Sequence, residues 1–278
     1  MEKTVRRFDM KGVRALVLTG YGLNCDHETA YAFELAGARA FRVHINSVID
    51  RSISLKDFQI IALVGGFSWG DDHGAGVIES VRLKTHIGDE IFEFIQKEGL
   101  VIGICNGFQT LVNMGLLPGF NNSHTKRSIA LLNNECGNFR NAWVALKVNS
   151  KSPCIFTKGI DSIELPVRHG EGKFYTDDMT LKAMIQNQQV ALQYALPDGH
   201  PAEGRFPHNP NGSLYDIAGI CDPTGRIFGL MPHPEAFNHF TNHPDWTRKR
   251  EAGNRNKTEI RDHLLGIRFF ENAVLYLK

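Results

Sequence analysis

The stretch Val101-Ile102-Gly103-Ile104-Cys105-Asn106-Gly107-Phe108-Gln109 places a G-x-C-x-G pentapeptide between an apolar run and a helical one that continues through Leu111, Val112 and Met114. This is the pattern of a nucleophile elbow with sulfur in place of oxygen. The glycines permit a tight strand-to-helix turn, and a helix N-terminus offers free N–H groups and partial positive charge that suit a thiolate nucleophile. The plainer reading of Cys105 is a small buried hydrophobe. A second stretch, Gly229-Leu230-Met231-Pro232-His233-Pro234-Glu235, sets a histidine and a carboxylate two residues apart after an apolar run. In an extended segment such side chains point the same way, so Glu235 would hold the His233 ring while its other nitrogen faces a thiol. Pro232 and Pro234 restrict the backbone on either side. A proline-rich turn with solvated side chains is the alternative. A third stretch, Leu63-Val64-Gly65-Gly66-Phe67-Ser68-Trp69-Gly70-Asp71, has paired glycines that can turn backbone N–H groups inward as an oxyanion hole, or simply make a turn.

The elements that must position these residues are legible as periodicity. Val13 to Leu18, Ala40 to Ile45, Gln59 to Val64 and Leu100 to Ile104 read as strands. Helical patterns follow Gly22 (Ala30, Phe33, Leu35) and run from Thr85 to Lys97, and Asp26 reads as the cap of the first. Continuously apolar strands separated by helices imply an open, mostly parallel sheet covered on both faces, whose ligands sit at the carboxyl ends of the strands. From Asn138 onward, strand-like runs at Trp143 to Val148, Ser162 to Val167, Val190 to Tyr194, Leu214 to Ile220 and Ile227 to Leu230 are expected to extend that sheet and add an antiparallel layer. Glu203 to Ser213 and Asn238 to Asn256 read as loops, and Glu259 to Leu277 as a terminal helix. The α/β expectation is one domain over residues 1–278, with loop insertions near 203–213 and 238–256.

Lysine plus arginine (31) nearly cancels aspartate plus glutamate (30), so no net field favours nucleic acid or an anionic membrane. The start, Met1 to Gly12, lacks an apolar core of the signal-peptide kind, and no later run is long enough to span a bilayer; a cytosolic chain is expected. Five scattered cysteines, at 25, 105, 136, 154 and 221, form no CxxC pair, which argues for reduced thiols and against a zinc site. His239 and His243 have helical metal-ligand spacing, but Pro244 and the lack of an H-E-x-x-H frame favour a solvated loop. The glycines of His169-Gly170-Glu171-Gly172 suit a turn.

Together these stretches resemble the class I (triad) glutamine amidotransferases, which have a flavodoxin-like fold, and among them the glutaminase components of phosphoribosylformylglycinamidine synthase. The G-x-C-x-G elbow with H-P-E carries the general likeness. The specific likeness lies in the ordered series Asn24-Cys25-Asp26, Gly65 to Asp71, Gly103 to Gln109, Gly115-Leu116-Leu117-Pro118, His169 to Gly172, Asn209-Pro210-Asn211-Gly212-Ser213 and Met231 to Glu235. The resemblance implies a triad of Cys105, His233 and Glu235, with oxyanion donors at Gly66, Phe67 and Asn106 and with Gln109 beside the substrate. It implies hydrolysis of L-glutamine to supply ammonia to a synthetase subunit, alongside a small accessory subunit, in purine biosynthesis. It further implies no metal or cofactor in this chain, with ATP and magnesium on the synthetase, and His169 to Gly172 facing the synthetase or the site entrance. The sequence departs from the usual family pattern at Trp69, where tyrosine is usual, at Gly74, near which the bacterial stand-alone form has arginine, and at Ala142, where a basic residue is usual. A stand-alone cysteine amidohydrolase of the same fold, and a catalytically silent regulatory subunit, are the competing readings.

Overall fold

The computed structural model describes residues 12–120, 126–256 and 265–278; the start of the chain through Lys11, and residues 259–264 of the expected terminal helix, lie outside them. The described residues form eleven strands: β1 (Arg14–Thr19), β2 (Arg39–His44), β3 (Ile60–Leu63), β4 (Leu100–Ile104), β5 (Ile129–Asn133), β6 (Arg140–Val148), β7 (Ser162–His169), β8 (Glu171–Thr176), β9 (Val190–Ala195), β10 (Ile217–Cys221) and β11 (Ile227–Leu230). The helices are α1 (Asp26–Leu35), α2 (Ile45–Ile49), α3 (Val77–Gln96), α4 (Asn106–Met114), α5 (Asp178–Gln186), α6 (Trp246–Asn256) and α7 (Ile267–Tyr276).

Nine strands form one sheet in the order β2-β1-β3-β4-β11-β10-β9-β6-β7. The first five pair in parallel and the remainder antiparallel. β1, β3, β4 and β11 are almost wholly buried, which is why their sequences are apolar without alternation. The chain steps from β1 outward to β2 but from β3 inward to β4, so right-handed crossovers put α1 and α3 on opposite faces. On one face Phe33 of α1 meets Phe270 of α7 edge to face at 4.8 Å; on the other, α3 packs on α4. That reversal opens a crevice at the carboxyl ends of β1 and β3, and the elbow and H-P-E segments leave β4 and β11 at the same end. β5 and β8 make a separate two-stranded antiparallel sheet.

Several expected boundaries differ. α3 begins at Val77, eight residues before the expected start, because Gly76 takes φ 71° and lets the chain turn into the helix against α4. The run expected as a strand from Leu214 starts with a 3-10 turn in which Tyr215 and Asp216 have positive φ, so pairing begins only at Ile217. Residues 238–256, expected as a loop, contain α6; its polar sequence is stitched by Arg255 to Glu251 and Arg248 to Asp245 pairs rather than by an apolar stripe. Asp26 is the first residue of α1 rather than its cap, which is Cys25, and its carboxylate binds Arg42 at 2.7 Å. β5, β8 and α5 had no clear signature. Residues 203–213 are irregular and are held from inside by the Asp216 carboxylate, which accepts the N–H groups of Glu203 (2.7 Å) and Gly204 (2.8 Å) and the Asn209 side chain (2.8 Å).

The α4 packing generates two expectations. A Cβ on Gly107 would lie 2.0 Å from the Leu63 carbonyl oxygen, backbone against backbone, whereas one on Gly88 would meet only Lys84 at 4.0 Å. Gly107→Ala should lower the urea midpoint by the equivalent of about 1–3 kcal/mol, and Gly88→Ala should be neutral or stabilise by up to about 1 kcal/mol; equal effects would refute the packing. Glu79 of α3 is fully buried, and although Thr110 donates to it at 3.0 Å, burial pushes its carboxyl up to about 7. The folded state therefore holds a proton that the unfolded state has lost, and stability should fall as pH rises from about 4.5 through about 7. Glu79→Gln should flatten that part of the pH profile in urea unfolding and stabilise the protein at pH 8, by up to about 3 kcal/mol.

Candidate active site

β4 runs straight into the elbow. Cys105 has φ 52° and ψ −107°, is buried, and stands at the N-cap of α4. Such a backbone costs a non-glycine residue roughly 1–3 kcal/mol and persists only where its surroundings enforce it. Here the enforcement is steric and hydrogen-bonded: a Cβ on Gly103 would lie 2.6 Å from the Gly107 carbonyl oxygen, and the Cys105 N–H donates to Leu230 of β11 at 2.8 Å. Sγ emerges 3.6 Å from the Arg168 carbonyl oxygen of β7. The Asn106 N–H, in the first turn of α4, has no acceptor within the helix.

His233 and Glu235 follow β11. Nδ1 of His233 lies 2.6 Å from Oε1 of Glu235, and both side chains are almost completely buried. The two are brought together by a 3-10 turn over Pro234–Ala236 rather than by extended chain, and the His233 N–H is anchored on the Pro166 carbonyl at 2.8 Å. With Nδ1 committed to Glu235, Nε2 is buried without a hydrogen-bond partner. Burial alone would lower the His233 pKa, but Glu235 first and then Cys105 outweigh it and hold the imidazole well above its ordinary range. An imidazolium beside a thiol is the charge pattern of a thiolate nucleophile with a ready proton donor. Gly65 makes room for the ring, since a Cβ there would sit 2.8 Å from Cε1 of His233.

Cys25 also reaches this ring, with Sγ 4.0 Å from Nδ1, and burial raises its pKa so that it stays a thiol. The ligating atoms of Cys25, His233 and Glu235 lie within 4.8 Å of one another. Nδ1 and Oε1 at 2.6 Å are however too close to be two tetrahedral ligands of one zinc ion, which at bond lengths of about 2.0–2.2 Å would stand over 3 Å apart. They share a proton.

The loop after β3 folds back onto the loop after β1 through a bridge between Leu23 and Gly66, where Gly66 has φ 140°. Of the residues expected as oxyanion donors, Asn106 follows Cys105 at the start of α4 and Gly66 lies in the loop after β3, while the Phe67 N–H is donated to the Gly22 carbonyl at 2.9 Å. Its side chain is exposed and lies 6.1 Å from the ring of Phe139. Gln109 is buried on the inner side of α4 and donates to the Glu171 carbonyl at 2.8 Å. His169 to Gly172 carries the chain from β7 into β8 through a bend at Gly170, with His169 buried and donating from Nδ1 to Asn134 at 2.9 Å. Burial, followed by the charge of His233, pushes the His169 pKa down to about 3, so it stays neutral. The Asn211 side chain clamps this segment through the Gly172 carbonyl at 2.8 Å. His239 and His243 do not converge on a metal: His243 packs on Trp143 and pairs with Glu164 and Lys249, while His239 caps a 3-10 turn. Asn134, Arg168 and the approach of Cys25 carry no local sequence signal, because each arrives from a distant strand or loop.

The geometry agrees with what the chain is similar to. The model of the CobB/CobQ-like glutamine amidotransferase domain matches residues 12–277. A phosphoribosylformylglycinamidine synthase subunit PurQ from Methanococcus maripaludis is 43% identical over 264 residues, covering 95% of this chain and 97% of its own. One from Dehalococcoides mccartyi is 42% identical over 271 residues, covering 97% and 99%. Among solved structures, a chain of PurLQS from Thermotoga maritima superposes with a TM-score of 0.70 at 29% identity, over 96% of this chain and all of that one. The chain therefore belongs to the CobB/CobQ-like glutamine amidotransferases, and within them to the PurQ subunits of phosphoribosylformylglycinamidine synthase.

Proposed function

We propose that Cys105, His233 and Glu235 hydrolyse L-glutamine to glutamate and ammonia, and that the chain supplies this ammonia to the synthetase subunit that makes formylglycinamidine ribonucleotide in de novo purine biosynthesis. The observation that carries the reading is the buried 2.6 Å pair of His233 and Glu235, with the free Nε2 edge of the ring turned away from Glu235 beside a cysteine held at a strained strand-to-helix elbow. In the first step Sγ of Cys105 attacks the carboxamide carbon, and the oxyanion is received by the N–H groups of Gly66 and Asn106. His233 gives its Nε2 proton to the departing nitrogen. In the second step the neutral ring takes a proton from water, which cleaves the thioester and restores the thiol. Glu235 fixes the ring throughout. No step calls on a metal or an organic cofactor in this chain; ATP and magnesium belong to the synthetase, with which a small accessory subunit also assembles. No described helix is long and apolar enough to cross a membrane, and we assign the chain to the cytoplasm as one catalytic domain.

Cys105→Ser and His233→Ala should each reduce glutaminase turnover by at least about 10³-fold, and Glu235→Gln by a smaller factor, in an ammonia-release assay. A Glu235→Gln variant as fast as wild type would reduce the H-P-E segment to a turn. The Phe67 N–H supplies a second expectation. It is one of the donors that the family resemblance assigns to the oxyanion, yet it is spent on Gly22, so docking of a substrate-loaded synthetase against the Asp71 to Gly76 loop is the event that would release it. The isolated chain should therefore be slow, and addition of the synthetase with formylglycinamide ribonucleotide and ATP should raise kcat roughly 10- to 100-fold. A chain already at its maximal rate alone would favour an independent amidohydrolase.

A further inference from the structure

The ring of His233 has a neighbour that the mechanism does not use. Sγ of Cys25 stands 4.0 Å from Nδ1 of His233 and within 4.8 Å of a Glu235 carboxylate oxygen. Gly65 shapes the slot that ring and sulfur share: a Cβ there would lie 2.8 Å from Cε1 of His233 and 3.2 Å from Sγ of Cys25. The thiol is aimed by backbone bonds from two directions. The Cys25 N–H donates to the Gly65 carbonyl at 3.2 Å, and its own carbonyl accepts the N–H of Thr29 at 3.1 Å and the Thr29 hydroxyl at 2.6 Å. Cys25 is 7% exposed and stands at the N-cap of α1, yet makes no capping hydrogen bond. The helix therefore gains nothing from a cysteine here that serine, threonine or aspartate would not give better.

What a sulfur achieves beside Nδ1 follows from following the protons. Nε2 can give a proton and take one back only while the Nδ1 proton stays with Glu235, since that bond fixes both the tautomer and the ring orientation. Water is at hand to disturb it. Cys25 and His233 both border a cavity of about 140 Å³, which also meets Asn24, Glu28 and Arg168 and has room for more than one water molecule. An oxygen next to Nδ1 would compete with Glu235 as an acceptor. A thiol is a weak donor and a weak acceptor, and it packs as a small apolar group. Its S–H has an acceptor of its own in Oδ1 of Asn24, 3.7 Å away.

We propose that Cys25 is a positioning residue of the triad, whose sulfur keeps water and other oxygen acceptors from Nδ1 of His233 and so confines the ring's proton to the Glu235 side. Its effect on turnover rests on the glutaminase reading above; its effect on the His233 to Glu235 bond does not.

The test uses the full chain and its Cys25→Ala and Cys25→Ser variants, which keep the backbone bonds to Gly65 and Thr29. Glutaminase kinetics are measured with the synthetase, formylglycinamide ribonucleotide and ATP, and the low-field proton resonance of the His233 Nδ1–H is recorded by NMR, assigned by its loss in Glu235→Gln. Alanine admits water and should lower kcat about 10-fold, whereas serine adds a competing oxygen and should lower it further, toward about 100-fold. The KM for glutamine should stay within about twofold in both, because the ring's orientation is at stake and not substrate binding. The resonance should broaden by exchange with water in Cys25→Ala and move upfield in Cys25→Ser. A sulfur that merely filled space would give the opposite order, since serine is nearer to cysteine in size than alanine is. Cys25→Ser faster than Cys25→Ala, wild-type kcat in both, or a resonance unmoved in both would each overturn the inference. Hydrolysis that survived Cys105→Ser would overturn the glutaminase reading, and the resonance would still decide what Cys25 does to the ring.

Discussion

At Gly107 the first turn of α4 approaches the Leu63 carbonyl so closely that no side chain fits between them, and from this contact the rest of the site follows. Helix and sheet can lie this near only if the chain turns abruptly after Ile104, which drives Cys105 into its positive-φ conformation and lifts its thiol clear of both elements. The same closeness sets the helix N-terminus at the end of β4, beside the loop that leaves β3. Asn106 and Gly66, the donors proposed for the oxyanion, therefore follow neighbouring strands, and the strain at Cys105 is offset by packing and hydrogen bonds around it, not by the residue itself.

Around that fixed point the electrostatics are arranged by burial. His233 and Glu235 have almost no contact with water, which would normally penalise an ion pair. A short bond between them, reinforced by the influence of Cys105, makes the charged ring the better state. His169, equally buried nearby, has no carboxylate partner and the positive ring of His233 in its surroundings, so it remains neutral. Two histidines in one site thus differ in charge because one has an acid to lean on and the other an amide.

The stretch from Phe67 to Gly76 couples these parts. It contributes Asp71 to Asn106, its Ala75 N–H to Glu171 and its Gly76 backbone to the flank of α4, while Phe67 is tied back to Gly22. A loop bound at so many points around α4, and built from residues in rarely occupied backbone conformations, is placed to transmit a change at the protein surface to the first turn of that helix.

What the sequence by itself determined was local and periodic. The parallel strands were apolar runs because both faces of the sheet are covered, the elbow was a spacing of glycines around a cysteine, and the H-P-E segment stated its own chemistry. Their positions at strand ends followed from the order of elements. Where local pattern failed, long-range contacts had decided: β5 and β8 pair with each other rather than with the main sheet, α6 is polar and stitched by ion pairs, and the partner that positions Glu235 is a 3-10 turn instead of an extended chain. Only the tertiary structure could show that Cys25 reaches the imidazole of His233, that the Phe67 N–H is already spent, and that Asp71 accepts from Asn106. Those residues come from four separate segments of chain, and a distance between segments has no period, propensity or spacing by which a linear sequence could record it.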